Sequence, residues 1–362
     1  MRVLSTNILS PLGSTTEENY RAVSQGRTAL AQHTAGTRGI PFSFCAGMFA
    51  ELPDFTDLCI RSAREALSRV RLSPSAGGSR GKALFILSTT KGRMGEDIGE
   101  TAKKIAAQLG IGSEEPVVVC NACVSGVSAQ VLALRLLKAG MYDYAVVTGA
   151  DVLNRFIVSG FHSLKSLSPE PCRPFDMERL GLNLGEAAAT MVFGVETEVS
   201  TWGDLEGARV KWVAEAGAIC NDAWHISNPH PKGDGAYKAL MQVLQGADRE
   251  HLACLGVHGT ATMYNDQMEA MAIDRAKLND VPVSALKGYY GHTLGAAGLL
   301  ETIITMRALD DGIILPSRGF EELGVSRKIN VSPEALSPHG TGFVKMLSGF
   351  GGVNAAVRYA QV

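Results

Sequence analysis

The chain has 362 residues, 46% hydrophobic and 19% charged, with a formal charge of −2 and a sequence pI near 6.5. That length and apolar content suffice for a large core and two domains, whereas the near-neutral charge, with no block of Lys or Arg, excludes a nucleic-acid-binding field and an electrostatic membrane anchor. Seven scattered cysteines make no disulfide framework and fit thiols kept reduced in a cytoplasm, MRVLSTNILSPLG lacks the regions of a secretory signal, and no window offers the ~18 uninterrupted apolar residues of a bilayer span.

In chain order, the pattern predicts a strand at Val3–Leu9, a turn at Pro11–Gly13 and a helix over Thr16–Ser24. A Gly/Pro-rich stretch to Pro53 precedes a helix over Thr56–Val70, with Leu58, Ala63 and Leu67 toward a core, and Ser73–Gly81 is a loop by composition. From Ala83 a pattern begins that occurs twice. The first pass is a strand (Ala83–Leu87), a hydroxyl-rich turn (Ser88–Gly92), a helix (about Asp97–Leu109), the strand Val117–Val119, a turn bearing Cys123 and an apolar helix stopped at Gly140. The second is a strand (Leu252–Val257), the turn His258–Thr262, a helix (about Asp266–Leu278), a strand (Val281–Ala285), a turn holding His292 and an apolar helix ending at Gly312. Tyr144–Val147 and Phe343–Leu347 form a third equivalent pair, the latter running into Ser348–Gly352. Two copies of β-turn-α-β-turn-α argue for a duplicated α/β fold, joined after the strand Ala187–Phe193 near Val199–Ser200.

Ligands of such sheets sit beyond the carboxyl ends of the strands, which brings Cys123, His258 and His292 toward one cleft. Ser125 and Gly126 turn the valine strand into a helix carrying Val127, Val131 and Leu134, so Cys123 stands at a helix N-terminus. The free amides and dipole there are expected to lower a thiol pKa that starts near ~8.5. Two other readings of this cysteine exist. Free cysteines are commonly inert core, and Cys120 with Cys123 makes a CxxC, the mark of a redox pair or half a metal site. A zinc site would want a second pair, and the other five cysteines stand singly.

A thiolate beside two imidazoles suits acyl transfer through a thioester, because sulfur both attacks and leaves well. Oxyanion donors are expected from the Cys123 amide and from the Gly349–Gly352 turn. Neutral His258 and His292 are expected to donate Nε2–H bonds to an oxygen where an enolate develops, rather than to form a Cys-His-Asp base system. Lys287 is expected to pair with Glu269 and keep an imidazole neutral. Glu186 reads as a structural anchor, and Arg173–Asp176 as a rigid turn with an internal Arg/Asp pair. His225 could border the pocket, while His33, His162, His230, His251 and His339 lack a strand-end context and read as structural.

Taken together, Asn121–Gly126, Cys172–Asp176, Leu184–Ala187, His258–Thr262, Lys287 with Gly291–Gly298, and Gly349–Asn354 resemble the β-ketoacyl-[acyl carrier protein] synthases over essentially the whole chain. The resemblance implies a thiolase-like duplicated α-β-α-β-α layered fold. Residues 1–199 would form the half with the nucleophilic Cys123 and residues 200–362 the half with His258 and His292. It implies an elongating, Cys-His-His condensing enzyme, dimeric and cytoplasmic, serving fatty acid, polyketide or aryl-polyene synthesis. Cys123 would take the acyl chain from acyl carrier protein, and the two histidines would support decarboxylation of malonyl carrier protein. Lys287 and Glu269 would be the supporting pair, Phe350 the gate beside the second oxyanion donor, and Thr260 and Thr262 substrate contacts. No metal and no organic cofactor is implied beyond the carrier's 4'-phosphopantetheine arm. The partner would be a second copy or a related ketosynthase. Ala187, Tyr289–Tyr290, Ser348 and Val353 depart from the family pattern and bear on chain length and gating. A non-catalytic subunit that sets chain length for another ketosynthase is the alternative, and a CxxC oxidoreductase a third reading.

Overall fold

Capped helices alternate with short β-branched or alanine-rich strands along the chain, and ten of the fourteen described strands fall into two sets of five with one topology. The computed structural model describes residues 1–70, 81–111, 115–195 and 212–362. Its first part runs β1 (Arg2–Leu9), α1 (Thr16–Ser24), β2 (Leu30–His33), β3 (Phe44–Gly47), α2 (Phe55–Ser68), β4 (Ala83–Ser88), α3 (Ile98–Gln108), β5 (Val117–Val119), α4 (Ser125–Lys138), β6 (Tyr144–Asp151), α5 (Arg155–Ser163), β7 (Leu184–Gly185) and β8 (Ala187–Gly194). The second runs β9 (Trp212–Asn221), α6 (Asp234–Val243), β10 (Leu252–Gly256), α7 (Met263–Arg275), β11 (Pro282–Ser284), α8 (Lys287–Tyr290), α9 (Ala297–Asp310), β12 (Asn330–Val331), β13 (Gly342–Gly349) and β14 (Val353–Gln361). Helix starts are written locally: Thr15, Asp54, Asp97 and Asn154 each accept a backbone N–H three residues on, satisfying donors that the first turn leaves free.

The main sheet has the order β5-β4-β6-β8-β1-β9-β14-β13-β10-β11-β12. In one set β5 and β6 flank β4 in parallel, then β8 and β1 follow antiparallel. In the other, β11 and β13 flank β10 in parallel, then β14 and β9 follow antiparallel. The sets meet at the pair Arg2–Val213. β6 and β13 therefore occupy equivalent places, as the sequence pattern predicts. β2, β3 and β7 form a separate small sheet. Helices α2 and α3 cover the outer face of the first set over Leu58, Phe85 and Val146, and α6 packs with α7 over Leu240, Ile273 and Val344 on the second. Helices α4 and α9 lie between the sets, α4 touching β6 and β9 and α9 touching β8 and β13. This is the α-β-α-β-α layering of a thiolase-like fold. Val127, Val131 and Leu134 of α4 are buried as expected, and with a sheet on either side so are Ser128, Ala129, Gln130 and Ala133.

The two inner helices touch backbone to backbone, and this fixes the cysteine turn against the histidine turn. Gln130 Nε2 donates to the carbonyls of both Gly126 and Gly298 at 3.0 Å. A Cβ on Gly298 would stand 2.5 Å from the Val127 nitrogen and 2.8 Å from the Gly126 carbonyl carbon. Gly298→Ala is therefore expected to cost about 1–3 kcal/mol, as overpacking does, read as a lower urea midpoint at unchanged slope. An unchanged midpoint would show that the helices separate freely.

Helices α5 and α6 and strands β9 and β14 join the predicted elements. Most of the predicted 73–81 loop and the predicted join near 199–200 lie outside the described residues. No helix among the described residues is long and apolar enough to cross a membrane.

Candidate active site

The chain leaves β5 and reverses at Ala122, whose φ of 46° is left-handed. Ser125 holds the turn: its hydroxyl donates to the Ala122 carbonyl at 2.6 Å and accepts the Asn121 N–H at 2.8 Å. A backbone conformation this unfavourable for a residue with a Cβ persists only where its surroundings fix it. Here it sets Cys123 just before α4, buried at 6% exposure. Cys120 is exposed, directs its sulfur to the Thr90 carbonyl at 3.2 Å, and both thiols are free. The expected lowering of the Cys123 pKa is overturned. Burial pushes the thiol up to about 11, outweighing the Lys287 ammonium and the Phe350 and Cys123 backbone N–H groups, which pull it down. Both N–H groups, the ones expected from the sequence as oxyanion donors, are directed at the sulfur, and Gly349 lets them approach, since a Cβ there would meet the Cys123 nitrogen at 3.2 Å.

His258 follows β10. Its N–H and that of Gly259 each donate to one Glu269 oxygen at 2.7 Å, and the Thr260 N–H donates to Asp266 at 3.0 Å. Two carboxylates of α7 thus clamp the backbone of the histidine turn. Burial pushes the Glu269 carboxyl up to about 7 against its N–H donors. The expected Lys287–Glu269 pair is corrected: Lys287 Nζ donates to the His258 carbonyl at 2.7 Å and to Glu301 Oε1 at 2.8 Å. Glu301 lies on α9 and also binds Lys345 from β13, whose Nζ donates to the Val257 carbonyl at 2.8 Å. The signal in the sequence was a lone carboxylate within the apolar run LLETIITM, which must be paired if it is buried.

His292 is fixed by β7: its N–H donates to the Asn183 carbonyl at 2.7 Å and its own carbonyl accepts the Gly185 N–H at 2.9 Å. Its Nδ1 accepts the Leu294 N–H at 3.3 Å, which leaves the ring proton on Nε2, buried and without a protein partner among the described residues. His258 Nδ1 is likewise buried and unpartnered. Burial first, then the Lys287 ammonium, holds both imidazoles well below their usual range near 6.5, so both are neutral at pH 7. The rings meet edge-on, centroids 5.0 Å apart. The Cys123 sulfur and one nitrogen from each ring all lie within 4.8 Å of one another.

These groups sit in a cleft of about 270 Å³ that is open to the exterior. Thr260 and Thr262 line it with their hydroxyls 2.9 Å apart, and Phe350, 37% exposed, stacks on Phe161 across its mouth at 5.6 Å. Phe161 is a lining residue that sequence reasoning missed, whereas Asp222 lines the cleft as part of the Asp222–His225 stretch expected to border it. Asp222 accepts from Asn354 at 3.0 Å and steadies the glycine turn. His225 is exposed outside the cleft, binding the N–H groups of Ser227 and Asn228. Glu186 is the anchor expected, ion-paired to Arg38 and accepting from Phe49 and Leu153 N–H groups. The expected Arg173–Asp176 pair is corrected: Asp176 accepts three backbone N–H groups, and Arg173 lies 3.6 Å from Glu321.

The family description "Beta-ketoacyl synthase, N-terminal domain" matches residues 54–197, and "Beta-ketoacyl synthase, C-terminal domain" matches 212–321. The chain is 32% identical to 3-oxoacyl-[acyl-carrier-protein] synthase 2 of Mycobacterium leprae (strain TN), over 66% of this chain and 59% of the relative. It is 31% identical to the ketoacyl synthase alpha subunit of the tetracenomycin polyketide synthase of Streptomyces glaucescens, over 69% and 61%. A ketosynthase from Xenorhabdus doucetiae, solved in complex with its chain length factor, shares the fold with a TM-score of 0.79 over 100% of this chain and 98% of that one, at 24% identity.

Proposed function

This chain belongs to the β-ketoacyl synthase family and is a condensing enzyme of acyltransferase type, and on that footing we propose that it elongates an acyl chain held on Cys123 with two carbons from malonyl-[acyl carrier protein]. The observation that carries this reading is the convergence of one sulfur and two uncharged imidazoles within 4.8 Å in one open cleft. In the loading step the Cys123 sulfur attacks the thioester carbonyl of the acyl carrier. The Cys123 and Phe350 N–H groups hold the oxyanion, the bond to the pantetheine sulfur breaks, and the thiol proton leaves with that sulfur. In the second step the malonyl carboxylate departs as CO2 and its electron pair passes to the thioester as an enolate. The imidazoles donate to the enolate oxygen, and the carbon attacks the Cys123 thioester and releases the sulfur, which regains a proton. Neutral donors suit this step. An imidazolium would grip the departing carboxylate and stabilise the ground state.

This chemistry requires no metal and no organic cofactor beyond the carrier's phosphopantetheine arm, and the ammoniums of Lys287 and Lys345 oppose a dication beside the two rings. The name of the Mycobacterium leprae relative supports acyl carrier protein as the partner. The Xenorhabdus complex supports a second, related subunit, as do the half-buried valines of β5 at the sheet edge. A non-catalytic chain-length-setting subunit would have no use for the three converging groups. Seven free thiols support a reducing compartment such as the cytoplasm.

Incubation with acyl- and malonyl-carrier protein is expected to yield a β-ketoacyl carrier heavier by the two-carbon unit, read by mass spectrometry. Product no greater than with Cys123→Ala, with or without a copurified partner, would defeat the reading.

A further inference from the structure

Behind His258, consecutive carbonyls each hold a buried ammonium: Val257 accepts from Lys345 and His258 from Lys287, at 2.8 and 2.7 Å. One carboxylate, Glu301, bridges the two lysines, and all three side chains are at most 3% exposed. Two positive charges and one negative leave an excess of one. An uncompensated buried ammonium is costly, and Lys287 with Glu301 alone would be balanced. The surrounding ionisable groups offset it only in part. Asp266 of α7 lies beside the Arg179 guanidinium and accepts N–H bonds from Phe175 and Thr260. Glu269 of α7, engaged by the N–H groups of residues 258 and 259 and by Asn265, attracts both lysines, but burial pushes its carboxyl up to about 7, so its charge fades in the acid range where the rings would protonate. Asp151 of β6 is paired with Lys91 at 3.0 Å, and Cys123 carries an uncharged thiol at pH 7.

We propose that Lys345 is a positioning residue for decarboxylation: its surplus positive charge, placed behind His258 and His292, extends to lower pH the range in which both rings stay uncharged and can act as donors to the enolate. Both imidazoles lie well below their usual range, through burial first and Lys287 next, with Lys345 adding to it at both rings, after His292 in the case of His258. This rests on the proposed condensation, but its test separates the two.

Two measurements decide it. Imidazole NMR titration of the unaltered protein is expected to show His258 and His292 neutral down to at least about one pH unit below the ordinary ~6.5; titration of either ring near that ordinary value overturns the inference whether or not the protein condenses anything. In Lys345→Met, which leaves a balanced Lys287–Glu301 pair, the acid limb of malonyl-carrier decarboxylation is expected to move up by about one pH unit, while Lys345→Arg keeps the limb in place. A Met variant whose rate falls equally at all pH values, limb unmoved, would show that Lys345 only holds β13 against α9. Should the Met variant not fold, the same titration of Lys345→Gln takes its place, and rings that keep their wild-type titration there overturn the inference. Absence of decarboxylation in the unaltered protein would sink the proposed function and leave the titration standing.

Discussion

Cys123→Ala is expected to lose acyl loading altogether and to lower condensation by roughly 10,000-fold or more, while CO2 release from malonyl-carrier protein remains measurable. The two activities separate because the sulfur serves only the acyl chain, and enolate formation relies on imidazoles that the substitution leaves in place. Intact-mass detection of the acyl adduct reads the first activity and radiolabelled CO2 release the second. The resting thiol, pushed up to about 11 by burial, makes a further distinction. Small thiol reagents that need a preformed thiolate should react slowly with Cys123 at neutral pH, whereas an acyl thioester seated under the Cys123 and Phe350 N–H groups loads fast, since attack and proton loss occur together. Cys120→Ser should leave both rates essentially unchanged, because that sulfur faces the Thr90 carbonyl. An acyl adduct surviving on Cys120 in the Cys123 variant, or activity lost on Cys120→Ser, would return the CxxC pair to consideration.

What was legible in the sequence was local. A valine run ending at a Ser-Gly turn, and glycine-flanked histidines at strand ends, place Cys123, His258 and His292 on one side of a duplicated sheet, because strand ends and helix starts are encoded within a few residues. What was hidden depended on packing between distant segments. Lys345 sits in FVKMLS and reads as the solvent-facing member of an alternating strand, but β13 is covered on both faces and the lysine is 1% exposed. Glu301 lies fourteen positions beyond Lys287 on another helix, a pairing that no helical spacing rule suggests. The sign of the Cys123 shift is hidden from the sequence for the same reason: helix position is visible there, whereas the desolvation that outweighs it comes from residues on other elements.

The second large effect is expected at the histidines. His292→Ala should lower condensation by about 100- to 1000-fold, the usual loss for one oxyanion donor, and His258→Ala by a similar order. Together they should cost less than the product of the two, since both act on one developing charge. Geometry makes the loss selective. Nδ1 of His292 is occupied by the Leu294 N–H, so the ring has Nε2–H to donate and cannot also accept the thiol proton through that atom while it does so. Acyl loading, whose oxyanion is held by the backbone N–H groups of Cys123 and Phe350, should therefore fall much less than decarboxylation when both are measured as separate half-reactions on the same variant. The pH dependence carries the same sign. Activity that needs neutral rings is complete above their depressed pKa values and is lost as acid protonates them, so the wild-type rate should hold through the region near pH 6.5 where an ordinary histidine changes charge. If loading and decarboxylation instead fall in parallel in both variants, the imidazoles act as a base for the sulfur, and the division of labour between backbone and rings is wrong.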